Sequence, residues 1–319
     1  MRCLASPTCY LCGASGNVLY SDLTDRLFHV PGKWNLRVCP TNTCGLVWLD
    51  PLPLEADIHL AYEQYYTHDA SAEPGDAGAK RILRSLYRTV LGWTPIGRER
   101  RRVRLAYLDE VSPGRLLEVG CGNGQRLATL RTLGWQVEGQ EVDVRAAEHA
   151  GNHYGLTVHV GELTKLRLPE AGFDAVIMNH VIEHVHDPIA LLTECRRVLK
   201  TGGRLVAVTP NIESYGHEHF GVAWRGLDVP RHLHVFSRRT LTSLARRAGF
   251  DECETWTTAA QLVGIGLAGA DIQRYGQHVM GAAPRMTGIL KALAFQLRGW
   301  YRHNAHPDSG DECVLQAYK

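Results

Sequence analysis

Long apolar runs are missing from this sequence. The nearest, TTAAQLVGIGLAGA at 257–270, is broken by glycines and falls short of the roughly 20 residues that cross a bilayer. The opening MRCLASPTCYLCG lacks the apolar core of a secretory signal. An excess of one charge is missing too. The 35 Lys and Arg against 33 Asp and Glu leave a net charge of +2, so the molecule as a whole casts no strong field toward nucleic acid or a membrane. Repeats and low-complexity tracts are absent. What remains is ordinary for a globular protein: 319 residues, 45% apolar, are enough to bury a substantial core in one large or two modest domains. With nine cysteines and no secretory signal, a reducing compartment is expected, the cytoplasm, where thiols bind metal more often than they pair.

Four of those cysteines are ordered in an informative way. Cys9-Tyr-Leu-Cys12-Gly is one knuckle and Cys39-Pro-Thr-Asn-Thr-Cys44-Gly a slightly longer one, joined by segments that read as short strands and turns. Two pairs of thiolates match the tetrahedral demand of a zinc ribbon, which residues 1–53 would form. Four sulfur ligands leave no open coordination position, so such a zinc is expected to be structural. Cys3, Cys195, Cys253 and Cys313 stand alone and read as packing residues, as does Cys121 apart from its place in the glycine-rich motif below.

Residues 54–104 read as a helical linker or cap. They hold the one basic stretch, with Lys80, Arg81, Arg84, Arg88, Arg98, Arg100, Arg101, Arg102 and Arg104. A solvated helix face accounts for such a run, and an acidic partner is the other reading. From Gly114 the pattern alternates strand and helix: GRLLEVG, QRLATLRTLG, QVEGQEV, VRAAEHAGNHYG, LTVHVG, FDAVIMN, PIALLTECRRVLK, GGRLVAVTP, RTLTSLARRAGF, DECETWTT. Alternation of that kind predicts an α/β fold, a mostly parallel sheet with helices on both faces. Apolar helical material at 259–306 interrupts it before a last strand, CVLQAYK. That insertion could lid a site, form a homodimer surface or rest on lipid, and the first two are the expectation.

The most specific stretch is LLEVGCGNGQRL. An apolar strand ends in Glu118-Val-Gly120-Cys121-Gly122-Asn-Gly124 and runs straight into a helix. Glycines there let backbone approach a ligand closely. A dinucleotide motif would read G-x-G-x-x-G. Here the pattern is E-x-G-x-G-x-G, and an acid at the strand end disfavours pyrophosphate and suits a cationic amino-acid group. S-adenosylmethionine has such a group and no phosphate.

At this point the sequence resembles the class I S-adenosylmethionine-dependent methyltransferases, over roughly residues 105–255 plus the last strand. Within them it looks most like the group of ubiquinone-biosynthesis O-methyltransferases and sugar and natural-product methyltransferases. Members often carry an N-terminal zinc ribbon ending in a CGLVxLDP-like phrase, and this chain has Cys44-Gly-Leu-Val-Trp-Leu-Asp-Pro51. The resemblance implies a Rossmann-like, doubly wound methyltransferase sheet over 105–319. It also implies roles for particular residues. Glu118, Gly120, Cys121, Gly122 and Gly124 match the cofactor loop. Glu141, at the end of the second strand, matches the acid that receives both ribose hydroxyls, with Asp143 the competitor. Gly161 and Glu162 match the adenine contact, and Asn179 ends the fourth strand beside the methionine moiety.

NHVIEHVHDP follows that fourth strand. In a helix, His180, Glu183 and His184 would share one face. In ubiquinone-type relatives the phrase resembles EVLEH and is linked to a divalent metal; here His180 replaces the first acid. Three readings stay open: a metal site, a general base, or residues that shape the pocket. After the fifth strand, PNIESYGHEHFGVAWRGLDVPRHLHVFS resembles a segment that closes over substrate, offering Tyr215, Trp224, Arg225 and Arg231 as acceptor contacts. An acceptor hydroxyl must lose a proton as the methyl arrives, and His232 is the first choice of base.

The expected function is methyl transfer to a small-molecule, glycan or carrier-linked acceptor, at oxygen first. The alternatives are an RNA methyltransferase docking through the ribbon and basic helices, which the balanced charge argues against, and a non-catalytic cofactor-binding scaffold.

Overall fold

The computed structural model describes residues 1–63, 92–279 and 286–319. The basic positions Lys80, Arg81, Arg84 and Arg88 lie outside the described residues. The N-terminal part holds five short strands: β1 (Cys3–Leu4), β2 (Asn17–Leu23), β3 (Trp34–Val38), β4 (Val47–Asp50) and β5 (Leu52–Pro53). Helix α1 (Pro95–Arg104) follows, started by Thr94, whose hydroxyl accepts from Gly97 N, with Pro95 at the first helical position.

The body alternates as the sequence predicts: β6 (Arg115–Val119), α2 (Gln125–Thr132), β7 (Gln136–Glu141), α3 (Val144–Tyr154), β8 (Thr157–Val160), β9 (Phe173–Asn179), α4 (Pro188–Val198) and β10 (Leu199–Pro210). Then come α5 (Tyr215–Phe220), β11 (His234–Val235), α6 (Arg238–Arg247), β12 (Glu252–Thr258), α7 (Leu262–Tyr275), α8 (Met286–Ala305) and β13 (Glu312–Tyr318). The helix starts are written in the sequence. Asp187 accepts from Ala190 N ahead of Pro188, and Ser237 and Thr240 form a reciprocal capping box ahead of α6.

Seven strands form one sheet in the order β12-β13-β10-β9-β6-β7-β8, with β13 antiparallel to both neighbours and β6 to β10 parallel. The central strands are apolar on both faces because helices cover both. Leu116 and Ile177 face a cluster with Leu127, Leu130 and Trp135, while Leu117 and Met178 face one with Leu192, Leu241 and Leu244. From β6 the chain winds out to β7 and β8, then returns to add β9 on the other side. That reversal leaves a crevice beyond the carboxyl ends of β6 and β9, where ligands of open α/β sheets bind.

Segment 1–53 is stitched into this body. β2, β3 and β4 form an antiparallel sheet, and β11 joins its edge with His234 opposite Trp48 and Val235 opposite Val47. Trp34, Leu36 and Leu49 pack with Trp224, Leu227 and Leu233 from the connection after β10.

The phrase NHVIEHVHDP differs from the helical spacing. Its only helical part is a 3-10 turn at Ile182–His184, and α4 begins at Pro188. His180 itself is left-handed (φ 55°), a conformation that costs a non-glycine residue roughly 1 kcal/mol or more. The sheet and two side-chain contacts described below hold it there.

Candidate active site

The crevice is built from backbone first. Gly120 (φ 65°), Gly122 (φ 53°) and Gly124 (φ 79°) all take the left-handed region that glycine adopts without penalty. Their surroundings separate them. A Cβ at Gly120 would meet Val181 Cγ2 at 2.5 Å, and one at Gly124 would meet Leu156 Cδ1 at 2.6 Å and Ala150 Cβ at 2.8 Å. A Cβ at Gly122 would meet nothing within 4 Å among the described residues. Gly120 and Gly124 are thus needed for packing, while Gly122 borders open space, where a ligand could lie against bare backbone. Cys121 is buried beneath the loop, against Gly139.

Around the loop the acids have distinct situations. Glu118 is buried, and its Oε2 has no hydrogen-bond partner among the described residues; nor has Nη1 of Arg126, whose Nε lies 3.6 Å from Glu118 Oε1. Burial pushes the Glu118 carboxyl up to about 7, with Arg126 opposing the shift. Glu141 is buried too and braces the loop. Its Oε2 accepts from Gly122 N (2.7 Å) and its Oε1 from Val142 N (2.8 Å) and Asp143 N (3.0 Å). Asp143 instead starts α3, accepting from Arg145 N. Gln140 ties two strand ends together, accepting from Gly120 N (3.2 Å) and donating to Gly161 O (2.5 Å). Glu162 is exposed at the rim and paired with Lys165 (2.8 Å), and Asn179 is half-buried at the end of β9.

Beside that rim stands a histidine–carboxylate cluster. Glu183 is fully buried; its Oε1 accepts from His180 Nδ1 (3.0 Å) and its Oε2 from Thr209 Oγ1 (3.0 Å). Burial alone would raise Glu183, but His180 outweighs it and holds the carboxylate down to about 2. His180 Nε2 reaches Glu312 Oε1 on β13 (2.8 Å). Burial lowers His180, yet its two carboxylates prevail and push it up to about 10, which favours the cation over a proton acceptor. His180 N also donates to Val208 O (2.8 Å), which pins the left-handed backbone.

His184 and His232 differ from His180 in kind. His232 Nδ1 lies 2.8 Å from Gly226 O and His184 Nδ1 lies 3.0 Å from Arg231 O. A carbonyl only accepts, so His232 Nδ1 carries a proton, while His184 Nδ1 also lies 2.9 Å from the Tyr62 hydroxyl, which can donate or accept. Burial and the neighbouring His232 push His184 down to about 4, which leaves it neutral. The two rings meet edge to face, with centroids 4.7 Å apart. His232 Nε2 lies 3.8 Å from Asp228 Oδ2 and 4.0 Å from Glu183 Oε1. One ligand atom each from Glu183, His184 and His232 fall within 4.8 Å of one another. Such a group can receive a proton or could hold a divalent cation.

The remaining acceptor candidates are placed unequally. Arg231 is fully buried, and its guanidinium binds Asp25 twice (2.8 Å each) and Asp228 (2.5 and 3.0 Å). It fastens the ribbon to the loop that carries His232 and lines no open wall. Trp224 is buried as well, while Tyr215 stacks on Phe295 and Arg225 is half-buried. Glu312, Thr209 and Asp25 carry no local motif, and only the sheet order brings them here.

Away from the crevice, Cys9, Cys12, Cys39 and Cys44 converge. Cys9 Sγ lies 3.6 Å from Cys44 Sγ and Cys12 Sγ 3.3 Å from Cys39 Sγ, with all four sulfurs within 4.8 Å of one another. Sulfurs about 2.3 Å from a tetrahedral zinc stand about 3.8 Å apart, so the cage fits that ion. The longer second knuckle still turns tightly, through Cys44 N to Thr41 O.

Residues 96–254 match the Methyltransferase domain family. Two ubiquinone biosynthesis O-methyltransferases of Cereibacter sphaeroides are similar to the chain. One is 30% identical over half of it and 74% of the relative; the other is 34% identical over 43% of it and 60% of the relative. A probable S-adenosylmethionine-dependent methyltransferase of Mycolicibacterium smegmatis is 30% identical over 53% of the chain and 63% of its own length. Among solved structures, Haemonchus contortus phosphoethanolamine N-methyltransferase 2 shares the fold at 15% identity, with a TM-score of 0.50 over 91% of this chain and 70% of that one. The chain belongs to the class I S-adenosylmethionine-dependent methyltransferases.

Proposed function

We propose that the protein transfers a methyl group from S-adenosylmethionine to a hydroxyl of a small-molecule, glycan or carrier-linked acceptor, with His232 receiving the proton. The observation that carries this reading is the setting of His232, whose Nδ1 is held on Gly226 O and whose Nε2 faces two carboxylates. An imidazolium formed there would be stabilised by Glu183 and Asp228. The C. sphaeroides relatives' names support oxygen as the acceptor atom.

In this reading the Gly120–Gly124 backbone and Glu141 hold the nucleoside, and Glu118 faces the cofactor's ammonium. The orphaned Glu118 oxygen and the open space over Gly122 both support it. Bound S-adenosylmethionine supplies a methyl on a sulfonium already activated for transfer. The chain's own task is alignment of the acceptor oxygen and removal of its proton. His180, Glu183 and Thr209 position the cluster. The cysteine cage holds a structural zinc that rigidifies the N-terminal segment, and a metal-binding thiolate set suits a reducing cytoplasm.

A second reading is favoured by one observation. The Glu183, His184 and His232 donors lie close enough for a divalent cation, which would orient the acceptor's oxygens. An RNA substrate is less well supported, because Arg100 on α1 is engaged by Ala260 O and Gln296.

The test is methyl transfer from labelled S-adenosylmethionine to a panel of phenols, sugars and carrier-bound hydroxyls, with and without added chelator. His232→Gln should lower kcat about 10²–10⁴-fold and leave S-adenosylhomocysteine affinity unchanged. Wild-type turnover in the variant would remove the base. Turnover that collapses on chelation and returns with magnesium or manganese would establish the cation reading instead.

A further inference from the structure

Helix α8 has two apolar faces. Ala292, Phe295 and Gly299 are buried against the body, with Phe295 among Tyr215, His219 and Phe220. Met286, Leu290, Leu297 and Tyr301 are 70%, 60%, 54% and 74% exposed. At 100° per residue these four fall within one narrow arc, about half a turn from the buried set. The packing of the described residues therefore does not account for them.

The charge pattern chooses the occupant. The α8 sequence, MTGILKALAFQLRGWYRHNA, contains no Asp or Glu. Lys291, Arg298 and Arg302 border one edge of the apolar arc. Arg302 pairs with Glu218, while Lys291 and Arg298 form no ion pair among the described residues. A second copy docked through this face would set the same patch against itself, cations against cations, with no α8 carboxylate to offset them. Apolar side chains in one arc with a basic border and no acid suit the boundary between headgroups and acyl chains of an anionic bilayer. Among the described residues no helix is long and apolar enough to cross a membrane, so the contact proposed is peripheral.

We propose that the outer face of α8 docks on an anionic lipid surface, with Met286, Leu290, Leu297 and Tyr301 inserted and Lys291 and Arg298 on the headgroups. The full chain is tested by flotation with vesicles of phosphatidylcholine alone and of phosphatidylcholine containing phosphatidylglycerol. It should float with the anionic vesicles only. Leu290→Glu/Leu297→Glu should reduce that binding about tenfold or more, and Lys291→Glu/Arg298→Glu should abolish the anionic preference. Circular dichroism and S-adenosylhomocysteine affinity should stay unchanged in both variants, because the substituted side chains are exposed. The proposal is overturned if the protein floats with neither vesicle, or if the leucine variant floats like wild type. It is also overturned if ultracentrifugation reveals a dimer that the leucine variant dissociates, which would make the face an interface between copies.

Discussion

Substituting Gly122 and Gly124 separately by alanine asks whether the open space in the crevice belongs to the cofactor. Both residues are left-handed, at φ 53° and 79°, so each alanine carries the same backbone penalty of about 1–2 kcal/mol. At Gly124 the new methyl also lands 2.6 Å from Leu156 and 2.8 Å from Ala150, which adds about 1–3 kcal/mol of overpacking. At Gly122 no described residue lies within 4 Å of the new methyl, so no packing cost is added. Gly122→Ala should therefore lower the melting temperature by only several degrees, roughly 2–4 °C per kcal/mol, and Gly124→Ala by about twice as much. Binding should follow a different order. Calorimetric titration with S-adenosylhomocysteine should show Gly122→Ala weakened at least about tenfold, because its methyl occupies space that the ligand needs against bare backbone. Wild-type affinity in a folded Gly122→Ala protein would refute the placement of the cofactor over this loop.

Two further outcomes follow from the same geometry. Glu118 titrates at about 7 in the fold against 4.5 for an ordinary glutamate, so the folded state holds the extra proton between those values. Stability should fall as pH rises from about 4.5 to about 7, and Glu118→Gln should flatten that slope in urea titrations; an unchanged slope would mean that the carboxyl is not desolvated. One zinc per chain should be released by Cys12→Ser or by a strong chelator, with loss of the β2–β4 sheet in hydrogen exchange; full retention of that sheet without metal would dismiss a structural ion.

How much the sequence disclosed depends on the range over which each feature is determined. The E-x-G-x-G-x-G loop was legible because its cause is local: a strand must turn sharply into a helix, and the three glycines take up the left-handed backbone. The strand–helix alternation from Gly114 was legible for the same reason, since each element follows from its own local pattern. NHVIEHVHDP misled as a helix face because His180 turns left-handed, held by partners that its neighbours do not reveal. One of those, Glu312, lies 132 residues away and arrives only because β13 inserts between β10 and β12. Arg231 read as an acceptor contact, but Asp25, 206 residues before it, takes up the guanidinium. The setting of His184 and His232 was equally hidden, since their Nδ1 atoms are held by the distant carbonyls of Gly226 and Arg231 and by the Tyr62 hydroxyl.

The most direct measurement is a crystal structure of the protein with S-adenosylhomocysteine. The account predicts the ligand across the Gly120–Gly124 loop, its ribose hydroxyls on Glu141, its amino group toward Glu118 and its sulfur directed to the side where His232 Nε2 stands. Ribose held by Asp143, or a ligand lying away from Gly122, would contradict it.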